Sequence, residues 1–81
     1  MGQQPRVIVY TQPSCPPCTI VKRFLNDHHV AFETKDVSQD AKAREELIHR
    51  YDSMSTPTVV IGDEVIVGFD QERMTRLLNL E

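Results

Sequence analysis

Both cysteines of this 81-residue chain lie in one hexapeptide, "PSCPPC" at residues 13–18, with two prolines between them. A pair at this spacing can act as a covalent staple, supply two ligands to a metal, or cycle between dithiol and disulfide. The staple is the weakest reading. A disulfide acts largely on the unfolded chain, and closing a loop of two intervening residues restricts that chain very little. A metal site normally needs four protein ligands, and one C-x-x-C supplies two. The other candidates are His28, His29 and His49. In a helix that begins at the cysteines, His28 and His29 lie about three turns on, roughly 15 Å from Cys18. They cannot join both cysteines around one ion, so a metal-binding reading, zinc or iron–sulfur, requires a site shared between two chains. A histidine pair at a helix C-terminus is otherwise explained by the negative end of the dipole.

The redox reading depends on where Cys15 sits. The thiolate is the nucleophile, and an unperturbed cysteine has a pKa of about 8.5. A helix N-terminus presents unpaired N–H groups and the positive end of the dipole, both of which favour the anion. With Cys15 as N-cap, Pro16 and Pro17 occupy the first two helical positions, where proline's missing N–H costs least. They also remove two possible donors to the Cys15 sulfur. The N–H groups of Cys18 and Thr19 are then the expected donors. Cys18, one turn in, is expected to be the more buried sulfur. This assigns Cys15 as attacking thiol and Cys18 as resolving thiol.

The surrounding elements must place Cys15 at that turn. Residues 6–11, "RVIVYT", read as a short buried strand that ends at Gln12-Pro13. Ile20, Val21, Phe24, Leu25 and His28 then fall on one helical face, which predicts a helix to about residues 27–29. Residues 30–37, "VAFETKDV", alternate as a second strand with Val30, Phe32, Thr34 and Asp36 on one side. Ser38 or Asp40 caps a second helix running through Arg50, with Ala43, Leu47, Ile48 and Tyr51 inward. Residues 58–61 and 64–67 form a hairpin about Gly62-Asp63. Asp70 caps a last helix, with Phe69 and Met74 at the positions of a hydrophobic staple. The order is β-α-β-α-β-β-α. It implies an α/β fold in which a four-stranded mixed sheet is flanked by helices, the first two strands parallel through a right-handed crossover.

Bulk composition narrows the function. A chain of this length builds one domain, here residues 1–81. With 40% hydrophobic residues, 6% aromatic and no tryptophan, its core is aliphatic. A net charge of −3 and no Lys/Arg run longer than two argue against nucleic acid as a partner. Apolar runs fall far short of the ~20 residues that span a bilayer, so no membrane association is expected. The N-terminal stretch lacks a signal-peptide core, and the expected location is cytoplasmic, where thiols stay reduced.

"VIVYTQPSCPPC" and "STPTVVIGDEVIVGFD" together resemble the glutaredoxin family of the thioredoxin superfamily over nearly the whole chain. The resemblance implies a thioredoxin-like fold and a dithiol–disulfide oxidoreductase that cycles a Cys15–Cys18 disulfide. It implies a cis Thr56–Pro57 bond facing Cys15, with the Thr56 backbone offered to an extended substrate. It also implies a binding surface of Thr11, Gln12, Pro16, Thr56, Pro57, Gly68, Phe69 and Asp70. The Gly68–Asp70 turn would receive a terminal charge of glutathione. No bound cofactor and no metal are expected. Electrons would come from glutathione, or from NADPH through thioredoxin reductase. Partners would be disulfide-containing proteins, met by a monomer.

Three positions depart from the glutathione-using pattern. Gln12 stands where Lys or Arg is usual, Pro17 replaces an aromatic between the cysteines, and Val67-Gly68-Phe69 replaces Gly-Gly before Asp70. "GFD" is closer to small redoxins that serve ribonucleotide reductase and are recharged by thioredoxin reductase. Two rival classes remain: the metal-binding module, and a copper-carrier-like domain, which also places C-x-x-C at a strand-to-helix turn. The hairpin after the second helix disfavours the latter. Lys22, Arg23, Arg44 and Glu45 read as a solvated face.

Overall fold

The computed structural model describes residues 6–53 and 55–78. The order is β1 (Val7–Thr11), α1 (Pro16–Asp27), β2 (Glu33–Asp36), α2 (Ala41–Glu45) continued by one wider, π-type turn (Glu46–Arg50), β3 (Thr58–Ile61), β4 (Glu64–Val67) and α3 (Gln71–Leu77). Strands are arranged β2-β1-β3-β4. β1 and β2 run parallel, with Ile8 opposite Glu33. β1–β3 and β3–β4 are antiparallel, with Val7 opposite Ile61 and Thr58 opposite Val67. This is the mixed four-stranded sheet and element order expected from the hydrophobic pattern.

The two central strands are buried at every residue because both of their faces are covered. Val7, Val9, Val59, Ile61 and Ile66 pack with Val21, Phe24 and Leu25 of α1 and Met74 of α3. On the opposite face Ile8, Tyr10 and Val60 pack with Ala43 and Leu47. Burying an aliphatic side chain of this size is worth about 1.5–3 kcal/mol. The sheet is therefore the stiff frame from which the β1–α1 turn projects. Phe69 and Met74 both belong to the first cluster, as the staple reading requires. Among the described residues, no helix is long and apolar enough to cross a membrane.

The start of the second strand differs from the sequence reading. β2 begins at Glu33, not at residue 30. His29 adopts the left-handed region (φ 58) after the end of α1. Its N–H donates to the Asn26 carbonyl at 3.1 Å, and the Val30 N–H donates to the Leu25 carbonyl at 2.9 Å. These paired bonds close the helix in a Schellman arrangement. Val30 is thereby committed to the cap, and its side chain joins the core beside Leu25.

The second helix also changes pitch. Asp40, not Ser38, is its N-cap, with Oδ1 accepting from the N–H groups of Lys42 and Ala43 at 3.1 Å each. Ser38 instead donates its N–H to Asp36 Oδ1 at 2.9 Å. From Glu46 the helix widens, and the Tyr51 N–H reaches back five residues to the Glu46 carbonyl at 3.3 Å. Ala43 and Leu47 are buried, whereas Ile48 and Tyr51, also expected inward, are half-buried. The wider turn rotates the residues after Leu47 away from the face that a regular helix would bury.

Candidate active site

The site forms where β1 ends. Ser14 sits in the left-handed region (φ 59) and turns the chain into α1. Cys15 is the N-cap, with extended backbone (φ −117, ψ 93), followed by Pro16 and Pro17 at the first two helical positions. The two cysteines are disulfide-bonded, with Cα atoms 5.3 Å apart. Cys18 is 1% exposed. Cys15 is half-buried and is the more exposed of the two.

In the disulfide form the expected donors to the Cys15 sulfur are engaged elsewhere. The N–H groups of Cys18 and Thr19 do not donate to the Cys15 sulfur in this disulfide form. Both donate to the Cys15 carbonyl oxygen, at 3.1 and 3.3 Å. The reason lies in capping itself: the carbonyl of an N-cap residue already accepts the first helical bonds. The donor to Cys15 Sγ is the hydroxyl of Thr56, at 3.6 Å. The sequence reading assigned Thr56 a role only through its backbone.

Thr56 is held against the cysteines by the loop before β3. Its peptide bond to Pro57 is cis. Pro57 is buried, and its carbonyl accepts the Gly68 N–H at 2.8 Å. Beneath them lies a set of hydroxyls. Thr58 Oγ1 donates to the Ser55 carbonyl at 2.6 Å, and Ser53 Oγ and Thr58 Oγ1 are 2.9 Å apart. The Ser55 N–H donates to Ser53 Oγ at 3.3 Å.

The residues singled out from the sequence therefore separate into groups. Cys15, Cys18, Pro16, Thr56 and Pro57 converge, and Gly68 joins them through Pro57. Gln12 is exposed and lines a groove of about 430 Å³ with Thr56, Val37, Ser38, Arg44, Leu47 and Ile48. Thr11 is buried at the end of β1, and its carbonyl accepts the Val37 N–H at 2.9 Å. Phe69 and Asp70 follow Gly68 but face other tasks. The Phe69 ring meets the Phe24 ring edge-on at 5.7 Å. Asp70 caps α3, accepting the Arg73 N–H at 3.1 Å. Among the described residues, no hydrogen bond or ion pair joins either to the cysteines.

Arg44 is exposed, as the solvated-face reading expects, and also lines the groove beside Gln12. The signal was available: Arg44 and Ile48 are one turn apart on the helix whose other side is buried. The hydroxyl set was visible as the density of Ser and Thr at positions 53, 55, 56 and 58. His28 and His29 lie at the far end of α1. Among the described residues, no three His, Cys, Asp or Glu side chains gather as a metal site.

A four-stranded mixed sheet with three helices, carrying a C-x-x-C disulfide at the N-terminus of the first, defines a thiol–disulfide oxidoreductase of thioredoxin-like fold. The family model "Glutaredoxin" matches residues 7–66, and the chain belongs to the glutaredoxin family. It is similar to the thioredoxin-like protein BC3987, with 56% identity over 90% of this chain and 100% of that one at a TM-score of 0.87. It is similar to the glutaredoxin-like protein NrdH-redoxin from Escherichia coli, with 29% identity over 89% of this chain and 93% of that one at a TM-score of 0.80. Glutaredoxin 3 of Escherichia coli (strain K12) is 33% identical over 64 residues, covering 79% of this chain and 77% of that protein.

Proposed function

We propose that this protein is a reductase and electron carrier in which Cys15 attacks substrate disulfides and Cys18 resolves the product. The observation that carries this reading is the unequal exposure of two bonded sulfurs at one helix N-terminus. The Cys15 thiolate attacks one substrate sulfur, forming a mixed disulfide while the other substrate sulfur leaves with the electron pair and takes up a proton. Cys18 then loses its proton and attacks Cys15 Sγ. The second substrate sulfur leaves as a thiolate, and the Cys15–Cys18 disulfide forms. Two electrons and one proton have passed to the substrate. The cycle needs no prosthetic group.

The physiological donor in this reading is thioredoxin reductase with NADPH, working at least as well as glutathione. Gln12 leaves no cation at the position that usually draws a glutathione carboxylate, and Val67-Gly68-Phe69 replaces the usual glycine pair. NrdH-redoxin, a neighbour in structure, is described as having a thioredoxin-like activity profile. Arg44 supplies a cation in the same groove, which is the feature that favours glutathione. The substrates are disulfide-containing proteins of the cytoplasm, met by a monomer. Gln12, Thr56 and Pro57 contact the substrate chain, with Thr11 and Pro16 framing the turn. Gly68, Phe69 and Asp70 form its outer edge.

The test is a coupled NADPH assay with the two recharging systems side by side. Turnover with thioredoxin reductase that equals or exceeds turnover with glutathione and its reductase is the expected result. Activity with the glutathione system alone overturns the donor assignment.

A further inference from the structure

Pro16 and Pro17 have no N–H, and the next two N–H groups are spent on the Cys15 carbonyl. The Cys15 sulfur thus stands at a helix N-terminus without a backbone donor from that helix. The Thr56 hydroxyl fills the gap from the facing loop, at 3.6 Å.

The loop that carries Thr56 is braced by hydroxyls that the redox chemistry does not otherwise use. Thr58 is fully buried and Ser53 is 6% exposed. One proton assignment satisfies all three contacts. Thr58 Oγ1 gives its proton to the Ser55 carbonyl, Ser53 Oγ gives its proton to Thr58 Oγ1, and Ser53 Oγ accepts from the Ser55 N–H. The Ser53 N–H is in turn fixed by the Leu47 carbonyl at 3.0 Å. These bonds bracket Thr56 on both sides in sequence, so its position opposite Cys15 is set from the core.

We propose that the Thr56 hydroxyl is the hydrogen-bond donor that stabilises the Cys15 thiolate, with Ser53 and Thr58 as positioning residues that aim it. A hydrogen bond to an anion is roughly twice as strong as one between neutral groups. The contact therefore strengthens when the disulfide opens and Cys15 Sγ carries the charge. The proton stays on Thr56 Oγ1 throughout; only the sulfur's charge changes as it attacks or leaves. This rests on Cys15 being the attacking thiol, and the experiment separates the two claims.

In a Cys18→Ser background, Cys15 is the lone thiol, and its pKa is read from the pH dependence of alkylation by iodoacetamide. The parent should titrate below the ordinary value of about 8.5. Thr56→Val, and Thr56→Ala as a second variant, should raise that pKa by about one unit, which cuts the alkylation rate about tenfold below the pKa. Thr56→Ser, which keeps the hydroxyl, should stay close to the parent. Ser53→Ala should move the pKa in the same direction by a smaller amount. An unshifted pKa in Thr56→Val and Thr56→Ala overturns the proposal, as does a Thr56→Ser shift as large as that of Thr56→Val. An unshifted Ser53→Ala removes the positioning role. A parent that titrates at the ordinary value overturns the nucleophile assignment itself.

Discussion

The Gly68 N–H donates to the Pro57 carbonyl at 2.8 Å, tying the end of β4 to the proline beside the active-site threonine. Gly68 achieves this at φ 84, a conformation that costs an L-residue about 1–2 kcal/mol. A Cβ added there would meet no atom within 4 Å. Gly68→Ala should therefore destabilise the fold by about 1 kcal/mol through backbone strain alone, with no steric clash. Urea denaturation measures it. A neutral substitution would show that the turn relaxes freely and that Pro57 is not anchored by it.

The two cysteines should separate cleanly by substitution. Cys15→Ser should abolish disulfide reduction, because the exposed nucleophile is gone. Cys18→Ser should stop turnover at the mixed disulfide, since nothing remains to attack Cys15 Sγ. Mass spectrometry of the Cys18→Ser protein after mixing with a disulfide substrate should show one covalent adduct per chain. An adduct on Cys18 in the Cys15→Ser protein, with none in Cys18→Ser, would reverse the roles.

What could be read in advance follows from how local each determinant is. The runs at β1 and β3 announced themselves because strands buried on both faces read as near-continuous apolar runs. Asp70 was legible as a cap, and Asp40 as one of two candidates beside Ser38, because a side-chain oxygen two or three residues before free N–H groups has one obvious use. Other features depend on distant partners. Val30 fits a strand by composition, yet the left-handed turn at His29 assigns it to the end of α1. The wider turn from Glu46 carries no local signature. It coincides with the residue whose carboxylate is bonded from the sheet by Tyr10 and Lys35. Thr56 entered through the family resemblance, but the approach of its hydroxyl to Cys15 Sγ depends on a loop braced by Ser53, Ser55 and Thr58, and no spacing rule reports that approach.

His29 closes α1 in the left-handed region, where glycine is the usual residue. Its backbone donates to Asn26, and that bond does not depend on its side chain. His29→Gly should keep the cap and relieve the strain, partly offset by the greater freedom of glycine in the unfolded chain. A net gain of about 0.5 kcal/mol is expected, or about 3 °C in Tm for a domain of this size. His28→Gly, at the preceding residue with φ −99, should lower Tm instead. If both substitutions lower Tm, the imidazole of His29 contributes more than its backbone strain costs.

Acid should expose the polar link between the second helix and the sheet. The Glu46 carboxylate accepts from Lys35 Nζ at 2.9 Å and from the Tyr10 hydroxyl at 3.3 Å. The Lys35 hydrogen bond, with a smaller contribution from its charge and from Tyr10, holds the Glu46 pKa below the ordinary carboxylate value against the opposing effect of burial. Burial, together with the same carboxylate, pushes the Tyr10 hydroxyl far above its usual range, so Tyr10 stays protonated and donating. A depressed carboxylate pKa adds stability that is fully present above the unfolded value of about 4.3 and lost as pH falls through the folded one. Glu46→Gln should therefore cost about 0.5 kcal/mol at neutral pH, the worth of a partly exposed pair, and the difference from the parent should vanish in acid. Asp36, whose pKa is lowered by hydrogen bonds from Ser38, titrates in the same direction and remains in the variant. The acid sensitivity of Glu46→Gln should accordingly shrink without disappearing. Urea unfolding of both proteins across the acid range checks this. A gap that stays constant down to the lowest pH would mean that the titrating charge of Glu46 contributes nothing to this link.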